Sequence, residues 1–209
     1  MVKRITYLTR RADVTPGQFS AHWSTTHAEI ARDLPGVIAY RQNHIEWFEP
    51  DDEARILDVD GIVELWFEDA ETASAGFGSE IADRLIVDER NFLSGLTGAS
   101  VEGPAPGPLH PFVLWLLWPS VDRDRSVFKA AVTGFAARVQ AEAAQVDWLQ
   151  PDAPVLWRAG LRRQALPAVA AALSFATRAA AQTAADAARG CEAFLGCPQR
   201  AVSESKPII

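Results

Sequence analysis

No stretch of 18 consecutive apolar residues occurs in this sequence, so none of it reads as a membrane-spanning helix. The N-terminus runs straight from Met1 into the alternating Lys3-Arg4-Ile5-Thr6-Tyr7, without the apolar core of a secretion signal, and a cytoplasmic location follows by default. Cysteine is scarce. Cys191 and Cys197 are too few for a disulfide framework, their spacing is a poor zinc signature, and they read as buried free thiols. Basic charge is also short: 20 Lys and Arg face 27 Asp and Glu, a net charge of −7, which argues against a nucleic-acid partner. The acidic loop from Glu49 to Asp60 lacks the ligand order of a calcium loop and reads as solvated. There is no Gly-x-Gly-x-x-Gly turn, no P-loop and no Gly-x-Ser-x-Gly elbow. His22 and His27 lie five apart, about 140° around an α-helix, which suits no shared metal. The expectation is a protein with no metal, no nucleotide and no cofactor, working by shape, desolvation and proton transfer.

What the chain does have is periodicity and one clear break. Gly103 to Pro111 holds four prolines and two glycines, which no helix or inner strand accepts. It divides the chain into residues 1–102, a linker 103–111, and residues 112–209. In the first part, Lys3–Thr9 alternates as a strand. A helix follows, with Thr15 as N-cap, Pro16 at its first position and Gln18 closing a capping box; Pro35-Gly36 ends it. Val37–Phe48 and Gly61–Phe67 are strands, Glu68–Gly76 is a helical turn, Ser79 caps a helix through Leu93, and Thr97–Glu102 is a strand. That order, β-α-β-β-α-β, is ferredoxin-like. The second part repeats it in worn form: strand Phe112–Trp118, helix Ser126–Ala144, strand Val155–Gln164, short strand Leu173–Thr177, Ala-rich helix Arg178–Phe194, and a last strand near Arg200–Ser203. The fold class is therefore α+β, with two tandem ferredoxin-like units. Residues 1–101 carry nine basic and 18 acidic side chains, residues 103–209 eleven and eight, so the halves have opposite sign, which can help them dock.

The groups able to do acid–base work fall between residues 22 and 89. Phe19, Trp23, Ile30 and Leu34 form the apolar stripe of the first helix, and His27 lies one turn beyond Trp23 on its flank. There it is either a satisfied core histidine or a proton carrier tuned by burial. His22 lies away from the stripe and reads as solvated. Tyr40 and His44 share one face of their strand and Asn43 the other, so the first two either enter one cavity or form a surface pair on an exposed sheet face, while Asn43 orients a carbonyl or pairs locally. Glu64 sits in a strand fit for the interior, where a carboxylate needs a hydrogen bond or a cation; it is either a structural link or a tuned acid. Trp23, Trp47 and Trp66 with Tyr40 can form a flat aromatic pocket or simply fill the core. The second part has no counterpart of His27, so one competent pocket per chain is expected, with the second unit as a wall or a substitute for a partner subunit.

Trp23-x-x-x-His27, Leu34-Pro35-Gly36 with Tyr40, Asp60-Gly61-Ile62-Val63-Glu64-Leu65-Trp66-Phe67, and Asp88-Glu89 before Phe92 together resemble the EthD family, over about residues 3–101. The resemblance implies a dimeric α+β barrel, here assembled within one chain, a small-molecule pocket beside the helix histidine, and Asp88 as a site residue. It also implies chemistry of the kind found in ether degradation and aromatic polyketide tailoring. Combined with the residues, it suggests a lyase, cyclase or isomerase: dehydration, decarboxylation, cyclisation or isomerisation of a small aromatic or polyketide-like molecule. His27, His44 and Glu64 would be catalytic, and Trp23, Tyr40, Asn43, Trp66 and Asp88 would bind substrate. The competing readings are a cofactor-independent oxygenase, and a non-catalytic small-molecule or haem carrier with His27 or His44 as ligand. A homodimer is compatible with the resemblance.

Overall fold

The computed structural model describes residues 1–49, 57–189 and 199–209; most of the acidic loop, the end of the Ala-rich helix and both cysteines lie outside the described residues. Thr15 accepts from the Gln18 amide and Gln18 bonds back to the Thr15 N–H, a complete capping box that starts α1 (Pro16–His22). The helix does not continue as one α-helix. Residues Trp23–His27 form a π-turn, and α2 (Ala28–Ala31) follows. Gly36, at φ +78°, takes the positive φ that the Pro-Gly stop requires.

Strands β1 (Val2–Arg10), β2 (Val37–Glu49), β3 (Gly61–Phe67) and β4 (Leu93–Glu102) form an antiparallel set in the order β4-β1-β3-β2. Its outer face carries α1, α2, α3 (Ala70–Phe77) and α4 (Glu80–Phe92), the last two capped by Asp69 and Ser79. A second set runs β9-β5-β8-β6, from β5 (Phe112–Trp118), β6 (Ala143–Leu149), β8 (Val169–Phe175) and β9 (Gln199–Pro207). It is covered outside by α5 (Arg125–Arg138) and α6 (Arg178–Arg189). Pairing of β2 with β9 and of β4 with β6 closes the two sets into one barrel within the chain. Among the described residues three apolar clusters result: one between each sheet and its helices, and a third inside the barrel around Ile5, Tyr7, Ile62, Val113 and Trp115. Among the described residues no helix is long and apolar enough to cross a membrane.

The second half corrects the sequence reading at three points, one being β8, which begins at Val169 and ends at Phe175 where only Leu173–Thr177 was expected. The helix ends at Arg138, Gln140 takes a positive φ of 55°, and Ala143–Leu149 is the strand that pairs with β8. Of the stretch Val155–Gln164, only Leu156–Trp157 forms a strand, β7; it leaves its own half to pair with Thr97 and Gly98 of β4, and Arg162 adds a single bridge to Gly95 of the same strand. Residues 103–111 run across one end of the barrel. There the Pro104 carbonyl accepts from Trp66 Nε1 at 3.0 Å, the Gly107 carbonyl accepts from Arg41, and a cavity of about 170 Å³ remains beneath them.

Candidate active site

Alternation along the first-half strands gives two polar sites on opposite faces of one sheet. Inside the barrel, Lys3 Nζ sits 2.8 Å from Glu64 Oε1 and 2.8 Å from Asp147 Oδ2, all three nearly inaccessible. Gln145 Nε2 donates to Glu64 at 2.8 Å and Asn43 Nδ2 at 3.1 Å. Burial pushes the Glu64 carboxyl up, but Lys3 and these donors outweigh it and hold the group below its ordinary value. Asp147 is the weaker acid: burial, helped by the Glu64 charge, pushes it up to about 6 against the pull of Lys3. Trp66 is fully buried here, with Lys3 Nζ 4.9 Å and the Arg41 guanidinium 5.3 Å from its ring. Glu64, Asn43 and Trp66 therefore belong to a polar cluster inside the barrel, across the sheet from His27, and Glu64 with Gln145 also lines the cavity of about 170 Å³ beneath residues 103–111.

The outer site lies between that sheet and its helices. A cavity of about 50 Å³ is lined by leucines and other apolar groups of β1, β3, α4 and β4, with His27, Tyr40, Thr6, Glu89 and Arg158 as its polar wall. His27 Nδ1 is 2.9 Å from Asp88 Oδ2, and His22 Nε2 is 2.9 Å from Asp88 Oδ1. The π-turn makes this possible. Its i→i+5 winding brings residues five apart to one side, where an α-helix would set them far apart. The turn has a local cause. Ser24 Oγ donates to the Ser20 carbonyl at 2.8 Å and Thr25 Oγ1 to the Ala21 carbonyl at 2.7 Å, competing with the α-helical ladder. Burial pushes Asp88 up, but the bonds from His27 and His22 more than compensate and its carboxyl lies below the ordinary value. An ionised Asp88 accepts from both rings, so neutral His27 carries its proton on Nδ1 and keeps the Nε2 lone pair free. Among the described residues Nε2 has no protein partner. His22, by contrast, is 28% exposed at its side chain against 10% for His27.

Glu89 follows Asp88 on α4 and is itself buried. Burial raises its carboxyl above the ordinary value, although Arg158 Nε at 2.8 Å and a second guanidinium nitrogen at 3.4 Å pull the other way. Arg158 and Leu156 come from the segment that crosses from the second half onto β4, so that half supplies part of the cavity's rim. Neither Glu89, Arg158 nor Leu156 stood out in the sequence; the Asp-Glu pair before Phe92 was the one available signal. Tyr40 lines the cavity, and its hydroxyl accepts from Gln42 Nε2 at 2.9 Å while burial pushes its pKa up to about 12.

His44 is not brought to the cavity. Its ring lies 4.4 Å from that of Trp23, its Nδ1 meets Ser20 Oγ at 3.0 Å, and its Nε2 donates to Gln42 Oε1 at 3.0 Å. Burial, then the Lys206 charge, lowers its pKa to about 3, so it is a neutral, fully bonded imidazole. Trp23 is fully buried between Phe19 and His44 and does not line the cavity. Gly61 makes room for it, since a Cβ there would stand 2.5 Å from the indole. The flat aromatic pocket expected of Trp23 and Trp66 is thus replaced by a leucine-lined one, because the two indoles fall in different cores. Trp47 lies among residues whose side chains are not described. Among the described residues no cluster of three or more His, Cys, Asp or Glu side chains is arranged to hold a metal.

Comparison with known proteins bears on this half and on the fold. The EthD domain family model matches residues 11–95. An anthrone oxidase-like protein of known structure superposes with a TM-score of 0.60 at 12% identity, over 99% of this chain and 93% of the other. A presumed monooxygenase from Fusobacterium nucleatum gives 0.62 at 8% identity, over 99% and 93%. A presumed chlorite dismutase gives 0.53 at 12% identity, over 100% and 96%. At these identities the likeness establishes the α+β barrel fold. No curated protein matches the sequence.

Proposed function

We propose that this chain, whose residues 11–95 match the EthD domain family model, is a cofactor-free acid–base enzyme acting on a small aromatic or polyketide-like molecule. The proton carrier is His27. The observation behind this is that the His27 ring lines the cavity with its Nδ1 2.9 Å from the Asp88 carboxylate, which leaves Nε2 as the nitrogen available to a ligand. Such a nitrogen takes a proton from carbon next to a carbonyl, or returns one in an elimination, while Asp88 stabilises the imidazolium that forms. His22, on the other Asp88 oxygen and nearer to solvent, exchanges the proton with water. The leucine wall excludes water from the reacting carbon. A cavity of about 50 Å³ takes only a few heavy atoms, so a ring-sized substrate enters with the half-buried Phe77, Leu156 and Arg158 displaced.

The architecture behind this reading is two tandem ferredoxin-like units, residues 1–102 and 112–209, joined by residues 103–111. The repeated strand order, β4-β1-β3-β2 and β9-β5-β8-β6, supports it. Among the described residues the strands β1 to β6, β8 and β9 pair around the barrel within the chain, so a homodimer would join through other faces. The names of two structural neighbours, an anthrone oxidase-like protein and a presumed monooxygenase, favour oxidation as a second reading, here proposed to use dioxygen without a cofactor.

The test is His27→Asn, assayed on aryl ketones and hydroxyaryl ketones by deuterium uptake from solvent and by product formation, with and without dioxygen. Saturating turnover falls about 10²–10⁴-fold with the melting temperature little changed. Full turnover in a folded His27→Asn protein removes His27 from the mechanism, and strict dependence on dioxygen selects the second reading.

A further inference from the structure

We propose that the mouth of the His27 cavity is an anion seat formed by Arg4 and Arg158, and that the substrate carries a carboxylate there. This rests on the cavity being the substrate site. Arg4 lies on the outer face of β1, opposite Leu65 of β3 and Ser100 of β4, two residues before Thr6. Thr6 and Leu65 both line the cavity, so Arg4 borders it on the same sheet face. Its guanidinium stands 4.5 Å from the ring centre of Phe77, another lining residue. Arg4 Nε is buried without a hydrogen-bond partner, and no carboxylate among the described residues pairs with Arg4. Arg158, on the facing wall, is occupied by Glu89. The Arg158 charge adds to burial in disfavouring the charge on Arg4.

Two guanidiniums and one carboxylate leave a positive charge uncompensated at this mouth, in a protein whose net charge is −7. A half-buried cation without a partner is costly, and the face of Phe77 offsets only part of that cost. The planar fork of an arginine is matched by a carboxylate in the plane of its two N–H bonds. A ligand seated this way directs its apolar body along Leu65, Leu85 and Leu96 toward His27 Nε2. The seat thus sets polarity: acid at the mouth, reacting carbon inside.

Pentanoate and pentanamide, equal in shape and different in charge, serve as probes in calorimetric and NMR titrations of the full chain. The wild type binds pentanoate about 10- to 100-fold more tightly than pentanamide, the range of a charge-assisted pair. The preference falls to within about twofold in Arg4→Gln, survives in Arg4→Lys, and shrinks in the wild type as salt is raised. His27→Asn keeps it, so failure of the proton-transfer reading and failure of the anion seat show up separately. Equal binding of the two probes by the wild type, or an undiminished preference in folded Arg4→Gln, overturns the proposal. Should Arg4→Gln fail to fold, a wild-type preference that does not change with salt overturns it.

Discussion

His44 gives a measurable link between one buried ring and the stability of the whole domain. Gln42 directs its amide NH₂ to the Tyr40 hydroxyl and the Trp23 carbonyl, so its oxygen faces His44 Nε2 and fixes the proton there. Ser20 donates to Nδ1, and Trp23 covers the ring. Burial disfavours the charged ring, and Lys206 adds an unfavourable charge; the folded pKa is lowered from 6.5 to about 3. As pH falls, the unfolded chain takes up this proton before the folded one does. The contribution is therefore whole above pH 6.5 and is lost as pH falls toward 3. Linkage at about 1.4 kcal/mol per pH unit makes the loss about 2 kcal/mol at pH 5, a large share of a typical domain's stability. Asp147 acts in the opposite sense: its raised pKa adds stability as pH falls through 6, so the wild-type profile mixes the two. His44→Gln, compared with the wild type by urea unfolding at pH 7.5 and pH 5, isolates the histidine. The variant loses about 2 kcal/mol less on acidification. Parallel pH profiles would refute the burial argument, and loss of turnover in a stably folded His44→Gln would move the proton carrier from the helix to the strand.

Other outcomes follow from the two polar sites. Lys3→Met strands Glu64 and Asp147 in the barrel without their cation, at a cost of about 3–5 kcal/mol, read as a fall in melting temperature. Its unfolding also shifts with pH around neutrality as the two carboxyls share protons; an unchanged melting temperature would show that solvent reaches the triad. His22→Gln removes the solvent end of the Asp88 pair, so turnover becomes dependent on the concentration of a small imidazole buffer while KM stays constant. Buffer-independent turnover in that variant would leave His22 with a structural role alone.

The faces of the first-half strands were legible because a period of two needs no tertiary information: Tyr40 and His44 do lie on one side of the sheet, Asn43 on the other. What that period cannot supply is which layer each side meets. Tyr40 reaches the cavity while His44, four residues on, is sealed under Trp23. The need of Glu64 for a hydrogen bond or a cation was readable from its strand; that Lys3, 61 positions earlier, supplies the cation depends on the pairing of β1 with β3. His22 was misplaced because its position was counted at 100° per residue, and three consecutive hydroxyl residues, Ser24-Thr25-Thr26, opened the helix into a π-turn instead. In the second half, Ala143-Ala144 continued a helical composition past the point where Gln140 had already turned the chain back. Composition and backbone direction disagreed there, and the pairing available along β8 decided the outcome.

The asymmetry of the two halves has a packing origin. On the second sheet, α6 presses Ala181, Ala184, Ala185 and Ala188 inward, all essentially inaccessible, so its backbone lies close to β5 and β9. Small side chains at that spacing let helix and sheet approach without a gap. On the first sheet the corresponding layer carries His27, Asp88 and Glu89, groups that must keep hydrogen-bonding room and cannot collapse onto the leucines. The helix layer is thereby held off the sheet, and the crossing segment with Leu156 and Arg158 closes the gap that remains. In the proposed two-unit architecture only one unit builds a site, and the connection of the other, with Leu156 and Arg158, serves as its wall beside His27.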